Sequence, residues 1–175
     1  MTVHGWLSAN GADAGGSYSA GGSGGSIAIV CGTFGGSGEG LVRAQGGSAG
    51  GTAGAGGGGR LAVAYGAPAE SCAVRFSAAP GTNGWAVQDM TNRWMHHAAM
   101  GTLWLSDARL LGAPLQDGRF EEVCLSLGDT NGWSVSGLEV RHNRFAFADP
   151  GFRLVVENDL TVGEGLAVFA DDFDR

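Results

Sequence analysis

The chain has no lysine, four prolines and three cysteines in 175 residues, and nothing that approaches a membrane-spanning apolar run. Each shortage excludes something. All ten basic residues are arginine and the net charge is -7, so no polybasic tract exists to follow a phosphate backbone, and nucleic acid is excluded as a partner. No stretch reaches the roughly 18 uninterrupted apolar residues of a helical membrane span. Cys31, Cys72 and Cys124 are odd in number and lie at long, unrelated spacings, which suits neither a disulfide framework nor a CxxC metal pair. They read as small buried hydrophobes. Met1 leads directly into Val3, Trp6 and Leu7 without a basic or apolar leader, so no export signal is expected within the chain itself.

What is abundant is glycine. It accounts for 34 residues, yet the Gly-Gly-Ser triplets at 21–26 stop after two, which excludes a collagen helix. With 43% hydrophobic and 15% charged residues the chain is too apolar for wholesale disorder and long enough for one core. Composition is uneven along it. Residues 1–66 hold 23 of the glycines and balance Asp13 and Glu39 against Arg43 and Arg60, so the whole negative excess falls in 67–175.

An internal repeat organises the glycine-rich part. Leu7-Ser8-Ala9-Asn10-Gly11 aligns with Val42-Arg43-Ala44-Gln45-Gly46 at an offset of 35, and a glycine-rich run follows each. Each run ends in an apolar strand: Ser26-Ile27-Ala28-Ile29-Val30 in one copy, and Arg60-Leu61-Ala62-Val63-Ala64-Tyr65 in the other, 34 residues later. Ile27 and Ile29 share one face and Ala28 and Val30 the other, a pattern repeated by Leu61 and Val63 against Ala62 and Ala64. A unit of strand, glycine-rich excursion and strand cannot close a core alone, and stacking coil on coil would satisfy its edges. The glycines would then supply positive-φ corners.

Beyond residue 102 the pattern continues with short, glycine-poor strands: Leu138-Glu139-Val140, Phe145-Ala146-Phe147, Leu154-Val155-Val156, Leu160-Thr161-Val162 and Leu166-Ala167-Val168. Leu138 to Leu160 and Phe145 to Leu166 are offsets of 22 and 21, with turn formers Asn143, Asn158-Asp159 and Gly163-Glu164-Gly165 between. Strands are also expected at Thr102–Leu105 and Glu122–Leu127. Residues 77–101 interrupt the rhythm; Val87, Met90, Trp94 and Ala98 are spaced for one amphipathic helix capped by Gly101, although a decorated loop would read similarly.

Four strings now carry a resemblance: Gly-Gly-Ser-Gly-Gly-Ser-Ile at 21–27, Gly-Gly-Gly-Gly-Arg-Leu-Ala-Val-Ala-Tyr at 56–65, Gly-Thr-Leu-Trp-Leu-Ser-Asp at 101–107 and Phe-Arg-Leu-Val-Val-Glu-Asn-Asp-Leu-Thr-Val at 152–162. Together they resemble the glycine-rich parallel β-helix repeats of large bacterial surface and autotransporter-like, adhesin-like proteins. The resemblance implies an exported parent much longer than this chain, located at the cell surface or outside the cell. The expected fold is all-β, a right-handed parallel β-helix or solenoid with a short helix or loop insertion near 77–101. It would comprise glycine-rich coils at 1–66, a connecting strand and insertion at 67–101 and glycine-poor coils at 102–175, forming one continuous solenoid that is a fragment of a larger one.

No catalytic, cofactor-binding or metal-binding residue is assigned. Gly21–Gly25 and Gly46–Gly50 fit the G-x-S-x-G pattern, but that motif works on a strand-to-helix elbow, and a strand follows the first copy. Ile27–Gly36 could open a nucleotide fold only if a helix followed, which Gly38, Gly40, Gly46 and Gly47 would break. Gly56–Gly59 ends in Arg60 without the Lys-Ser or Lys-Thr of a P-loop. His96 and His97 are adjacent and diverge on a helix or a strand, so they do not chelate one ion unaided. Glu157, Asp159, Glu164, Asp171, Asp172 and Asp174 offer oxygen ligands for calcium, yet lack the Gly-Gly-x-Gly-x-Asp register of calcium-stacked coils and read as a solvated acidic face. Trp104 and Trp133 read as strand residues, either core or stacked, and Trp85 and Trp94 as anchors for the insertion.

The sequence therefore points to a non-catalytic, structural or adhesin-like segment, whose expected partners are host or environmental glycans or surface proteins. Open strand edges add edge-to-edge self-association. The alternative is a carbohydrate-binding or carbohydrate-active module resembling polysaccharide lyases, which would require Arg141, Arg144, Glu157 and Asp159 to converge on one face. A passive glycan or ice binder would need ordered Thr or Ser ranks, for which Thr33 and Thr52 are the candidates in the glycine-rich coils.

Overall fold

The computed structural model describes residues 1–82, 98–112, 119–129, 132–140 and 144–163, together with the backbone of 166–168. The chain forms β1 (Thr2–Val3), β2 (Trp6–Ser8), β3 (Ser26–Gly36), β4 (Leu41–Arg43), β5 (Arg60–Cys72), β6 (Arg75–Ser77) and β7 (Gly101–Leu105). A short 3-10 turn, Ala108–Leu111, precedes β8 (Phe120–Leu127), β9 (Gly132–Val135), β10 (Leu138–Val140) and β11 (Arg144–Phe147). Three further strands follow: β12 (Arg153–Val156), β13 (Leu160–Val162) and β14 (Leu166–Val168).

The repeat offsets are strand registers. Leu7 lies opposite Val42 and Ser26 opposite Arg60, both in parallel pairs, and Leu138 lies opposite Leu160. In β11 and β14 the offset is one residue longer than the sequence suggested, with Arg144 rather than Phe145 opposite Leu166. Alternation sorts the faces as expected: Ile29, Leu61 and Val63 are buried, whereas Val30 is 86% exposed.

The sheet itself overturns the expected β-helix. Ten parallel strands form one sheet, eight of them in the order β1-β3-β5-β7-β8-β6-β4-β2 with β11 added against β8 and β14 against β11, where stacked coils would have kept separate ladders on separate faces. The junction is β8, which pairs with β6 through Phe120 and Glu121 and with β7 through Val123–Leu127. Between these partners lies Glu122, a non-glycine residue at φ 49°, where the register against β11 also slips by one. Such a bulge bends a strand and increases its twist, which lets one strand serve two ladders. The two ends of the order, β1 and β2, are consecutive in the chain with only His4 and Gly5 between them. The sheet therefore curls into a nearly closed, barrel-like form. A repeat period reports the register between neighbouring strands but not whether adjacent ladders fuse, so periodicity read alone suggested coils.

Inside the curl, Phe34, Phe76, Phe120 and Phe145 are fully buried and follow one another at centroid separations of 6.1, 5.9 and 6.5 Å. Leu61, Val63, Leu103, Leu105, Leu110 and Leu111 complete this core. β9 pairs with β12, and β10 with β13, as separate parallel pairs.

The glycine-rich excursions are not corners. Among the described glycines only Gly36, Gly51 and Gly151 have positive φ. The glycine-rich segments instead run beside one another, bonded at every third residue: Gly21 and Gly24 donate to Gly54 and Gly57, Gly22 and Gly25 to Ala12 and Ala9, and Gly46 and Ala49 to Ala79 and Thr82. A three-residue period is that of the polyproline II conformation, reached here without a Gly-X-Y repeat. Neighbours run both parallel and antiparallel, and a segment bonds to more than two others, which a sheet does not allow. Gly56 donates to Gly47 and accepts from Gly81, and a Cβ at Gly56 would lie 1.9 Å from the Gly22 oxygen. The glycines are required for close approach of backbones rather than for turning.

Of the insertion, residues 83–97 lie outside the described residues, including Trp85, Val87, Met90, Trp94, His96 and His97. Gly101 is not a helix cap; it opens β7 and donates its N–H to Ala78.

Candidate functional site

The glycine lattice carries a groove on its outer side. Gly11, Gly46 and Gly81 lie along it, and Asn10, Asp13, Gln45, Ser48, Ala79, Pro80 and Thr82 complete the lining around a volume of about 280 Å³. Its polar side chains form two ranks that cross the segments. In the first, Asn10 Nδ2 donates to Gln45 Oε1 at 3.2 Å, the Gln45 N–H donates to Asn10 Oδ1 at 2.9 Å, and Gln45 Nε2 donates to Ser77 Oγ at 2.8 Å. In the second, the Ser48 N–H donates to Asp13 Oδ1 at 2.7 Å and Thr82 Oγ1 donates to Ser48 Oγ at 3.0 Å. Asn10 with Gln45, and Asp13 with Ser48 and Thr82, are each one position of the repeat read across successive segments, whereas the fully buried Ser77 stands at the position of Arg43 beneath the first rank.

Leu7 and Ala9 pack against the core, so Trp6, Ser8 and Asn10 face outward along β2 and its extension. Trp6 is 70% exposed at the end of the strand order, with the Arg43 guanidinium carbon 4.9 Å over its ring. Arg43 Nε also donates to Ser8 Oγ at 3.2 Å.

A second cluster joins two of the sequence strings. Tyr65 ends one and Asp107 the other, and the Tyr65 hydroxyl donates to Asp107 Oδ1 at 2.6 Å. Arg109 closes on Asp107 Oδ2 at 2.6 Å and on the Gly66 carbonyl at 2.9 Å, with its guanidinium carbon 5.4 Å over the Tyr65 ring. The Arg109 hydrogen bond, aided by that from Tyr65, lowers the Asp107 carboxyl to about 2. Burial, reinforced by the Asp107 hydrogen bond, raises the Tyr65 phenol well above its ordinary value. The cluster is satisfied by its own members and ties β5 to the segment after β7.

Two buried polar atoms lack a hydrogen-bond partner among the described residues, Nε of Arg75 and Nε of Arg119; the Arg119 guanidinium carbon lies 5.7 Å over the Phe120 ring.

No protein-family model matches the chain, and no curated protein or solved structure matches it.

The sequence-based candidates are dispersed. Gly21–Gly25 and Gly46–Gly50 are extended lattice segments, with no helix after either, and Ile27–Gly36 lies in β3. Gly56–Gly59 runs directly into β5. Arg144 Nη1 pairs with Glu122 Oε1 at 2.7 Å; Arg141, the other arginine of the lyase-like alternative, lies outside the described residues. The backbone of Glu157 bonds to Val135 and that of Asp159 to Leu138; Glu164, Asp171, Asp172 and Asp174 lie outside the described residues. Among the described residues no group of three His, Cys, Asp or Glu is placed to hold a metal, and no helix is long and apolar enough to cross a membrane.

Trp133 is buried, but Trp104 is 36% exposed and packs beside Gly128. Cys31, Cys72 and Cys124 are free and half-buried rather than buried. The groove residues were missed. Asn10 and Gln45 already occupy equivalent positions of the 35-residue alignment, as do Asp13 and Ser48, and that equivalence was the available signal.

Proposed function

We propose that the chain is a non-catalytic structural segment of an adhesin-like bacterial protein, exported to the cell surface or secreted, whose work is to hold a polar surface in fixed register. The observation that carries this reading is the glycine lattice, in which main-chain hydrogen bonds at every third residue position the two outward ranks of Asn10-Gln45 and Asp13-Ser48-Thr82. Fixing polar groups on hydrogen-bonded backbone removes the ordering cost that mobile loops would incur on contact with a partner. Host or environmental glycans and surface proteins are the partners this surface suits. The resemblance of the glycine-rich strings to surface-protein repeats supports the same location.

The test is adhesion. Beads coated with the chain are expected to adhere to polysaccharide films or matrix-coated surfaces more strongly than beads coated with the lattice-breaking variant Gly56→Ala. Equal adhesion of both would overturn the reading.

A further inference from the structure

We propose that the groove over Gly11, Gly46 and Gly81, together with the exposed face of Trp6, is a binding site for a neutral oligosaccharide. The inference rests on the display reading and names its ligand class. Sugars offer two recognisable surfaces, a ring of hydroxyls that donate and accept hydrogen bonds and an apolar face of C–H groups that stacks on aromatic rings. Both complements lie on the same outward side of β2 and its extension. Asn10 and Gln45 hold each other's amides in register, each amide nitrogen keeping its second N–H and each amide oxygen its second lone pair, while Asp13, Ser48 and Thr82 add a carboxylate and two hydroxyls. A Cβ at Gly11, Gly46 or Gly81 would lie 1.9–2.0 Å from a backbone oxygen of the lattice, so the floor of the groove is main chain.

Trp6 supplies the platform. Arg43 covers one face of its ring and the side chain is still 70% exposed. Three residues of extended chain lie between it and Asn10, so four rises of a strand set the two about 13 Å apart. A ligand that touches both is therefore longer than one monosaccharide. Charge decides the subclass. Among the described residues the groove lining contains the Asp13 carboxylate and no lysine or arginine, and the nearby Arg43 is engaged with the Trp6 ring and Ser8. A polymer of uronic acids would meet like charge, whereas an uncharged one would not.

The folded chain is titrated calorimetrically with gluco- and mannohexaose and with hexagalacturonate. At least one neutral probe is expected to bind, with hexagalacturonate at least ten-fold weaker. Trp6→Ala and Gln45→Ala are each expected to weaken binding about ten-fold, the scale of one lost contact of ordinary net strength. Asp13→Asn, which keeps shape and removes charge, should narrow the gap between neutral and acidic probes, and Tyr18→Ala, an exposed aromatic outside the groove, should leave binding unchanged. The proposal fails if neither neutral probe binds, if the acidic probe binds as tightly, or if Trp6→Ala and Gln45→Ala melt and bind like the parent. Adhesion of coated beads with no oligosaccharide binding removes this site and leaves the display reading; oligosaccharide binding without adhesion does the reverse.

Discussion

The two halves of the molecule are held together in opposite ways. In the half built from residues 9–25, 44–59 and 78–82, backbone packs on backbone, and the tightest positions tolerate no side chain at all. From β6 onward, cohesion comes from side chains, led by Phe76, Phe120 and Phe145, whose rings fill the curl of the sheet. One half is therefore vulnerable to added atoms and the other to removed ones. Composition alone distinguishes the halves, but it does not say which kind of damage each would suffer.

The largest effect is expected from Gly56→Ala. Its new methyl would lie 1.9 Å from the Gly22 oxygen, which is backbone and cannot step aside, so the lattice must separate and more than about 4 kcal/mol of stability is lost in denaturant unfolding. Phe76→Ala follows at about 3–5 kcal/mol, since it leaves a cavity between the Phe34 and Phe120 rings. If both substitutions cost the same under one kilocalorie, the contrast between the halves is wrong.

Tyr65→Phe should cost about 1 kcal/mol, the net value of one hydrogen bond, measured at neutral pH. The cluster also sets a pH dependence. Asp107 is held at about 2 against an ordinary 3.8, so its contribution is complete above about 4 and is lost as pH falls toward 2. Tyr65 is raised, so its contribution is complete below its ordinary value of 10 and disappears at more alkaline pH as the folded-state phenol ionises. Thermal melts should thus lose this increment at both extremes, and Tyr65→Phe should abolish the alkaline loss and shrink the acid one, which the Arg109 hydrogen bond mainly sets. The smallest effect belongs to Gly57→Ala, whose methyl would meet nothing nearer than the Ala99 oxygen at 3.5 Å; a change within about 0.5 kcal/mol is expected. A large loss there would mean that the lattice rejects any side chain, regardless of space.

Much of the strand pairing was legible in the sequence, because a parallel register is an offset and offsets can be counted. Leu7 with Val42, Ser26 with Arg60 and Leu138 with Leu160 are opposite one another at the counted spacings. What could not be counted was the bend at Glu122 that joins the ladders, since a bulge at a glutamate leaves no compositional trace. The use of the glycines was also hidden: a residue without a side chain serves equally for a turn and for close approach, and only neighbours distant in sequence decide between them. The groove was half legible, because the repeat aligned its polar residues before the lattice assigned them a common face.

The glycine lattice also bears on temperature. Its segments bury peptide groups and α-carbons with little aliphatic side chain, and unfolding a surface of that kind exposes much polar area for little apolar area. Exposed polar area lowers the heat capacity of the unfolded chain and apolar area raises it, so the lattice contributes less than its share to the curvature of stability with temperature. The aromatic half should weaken on cooling as its hydrophobic drive fades, while the glycine half keeps its hydrogen bonds and loses comparatively little in the cold.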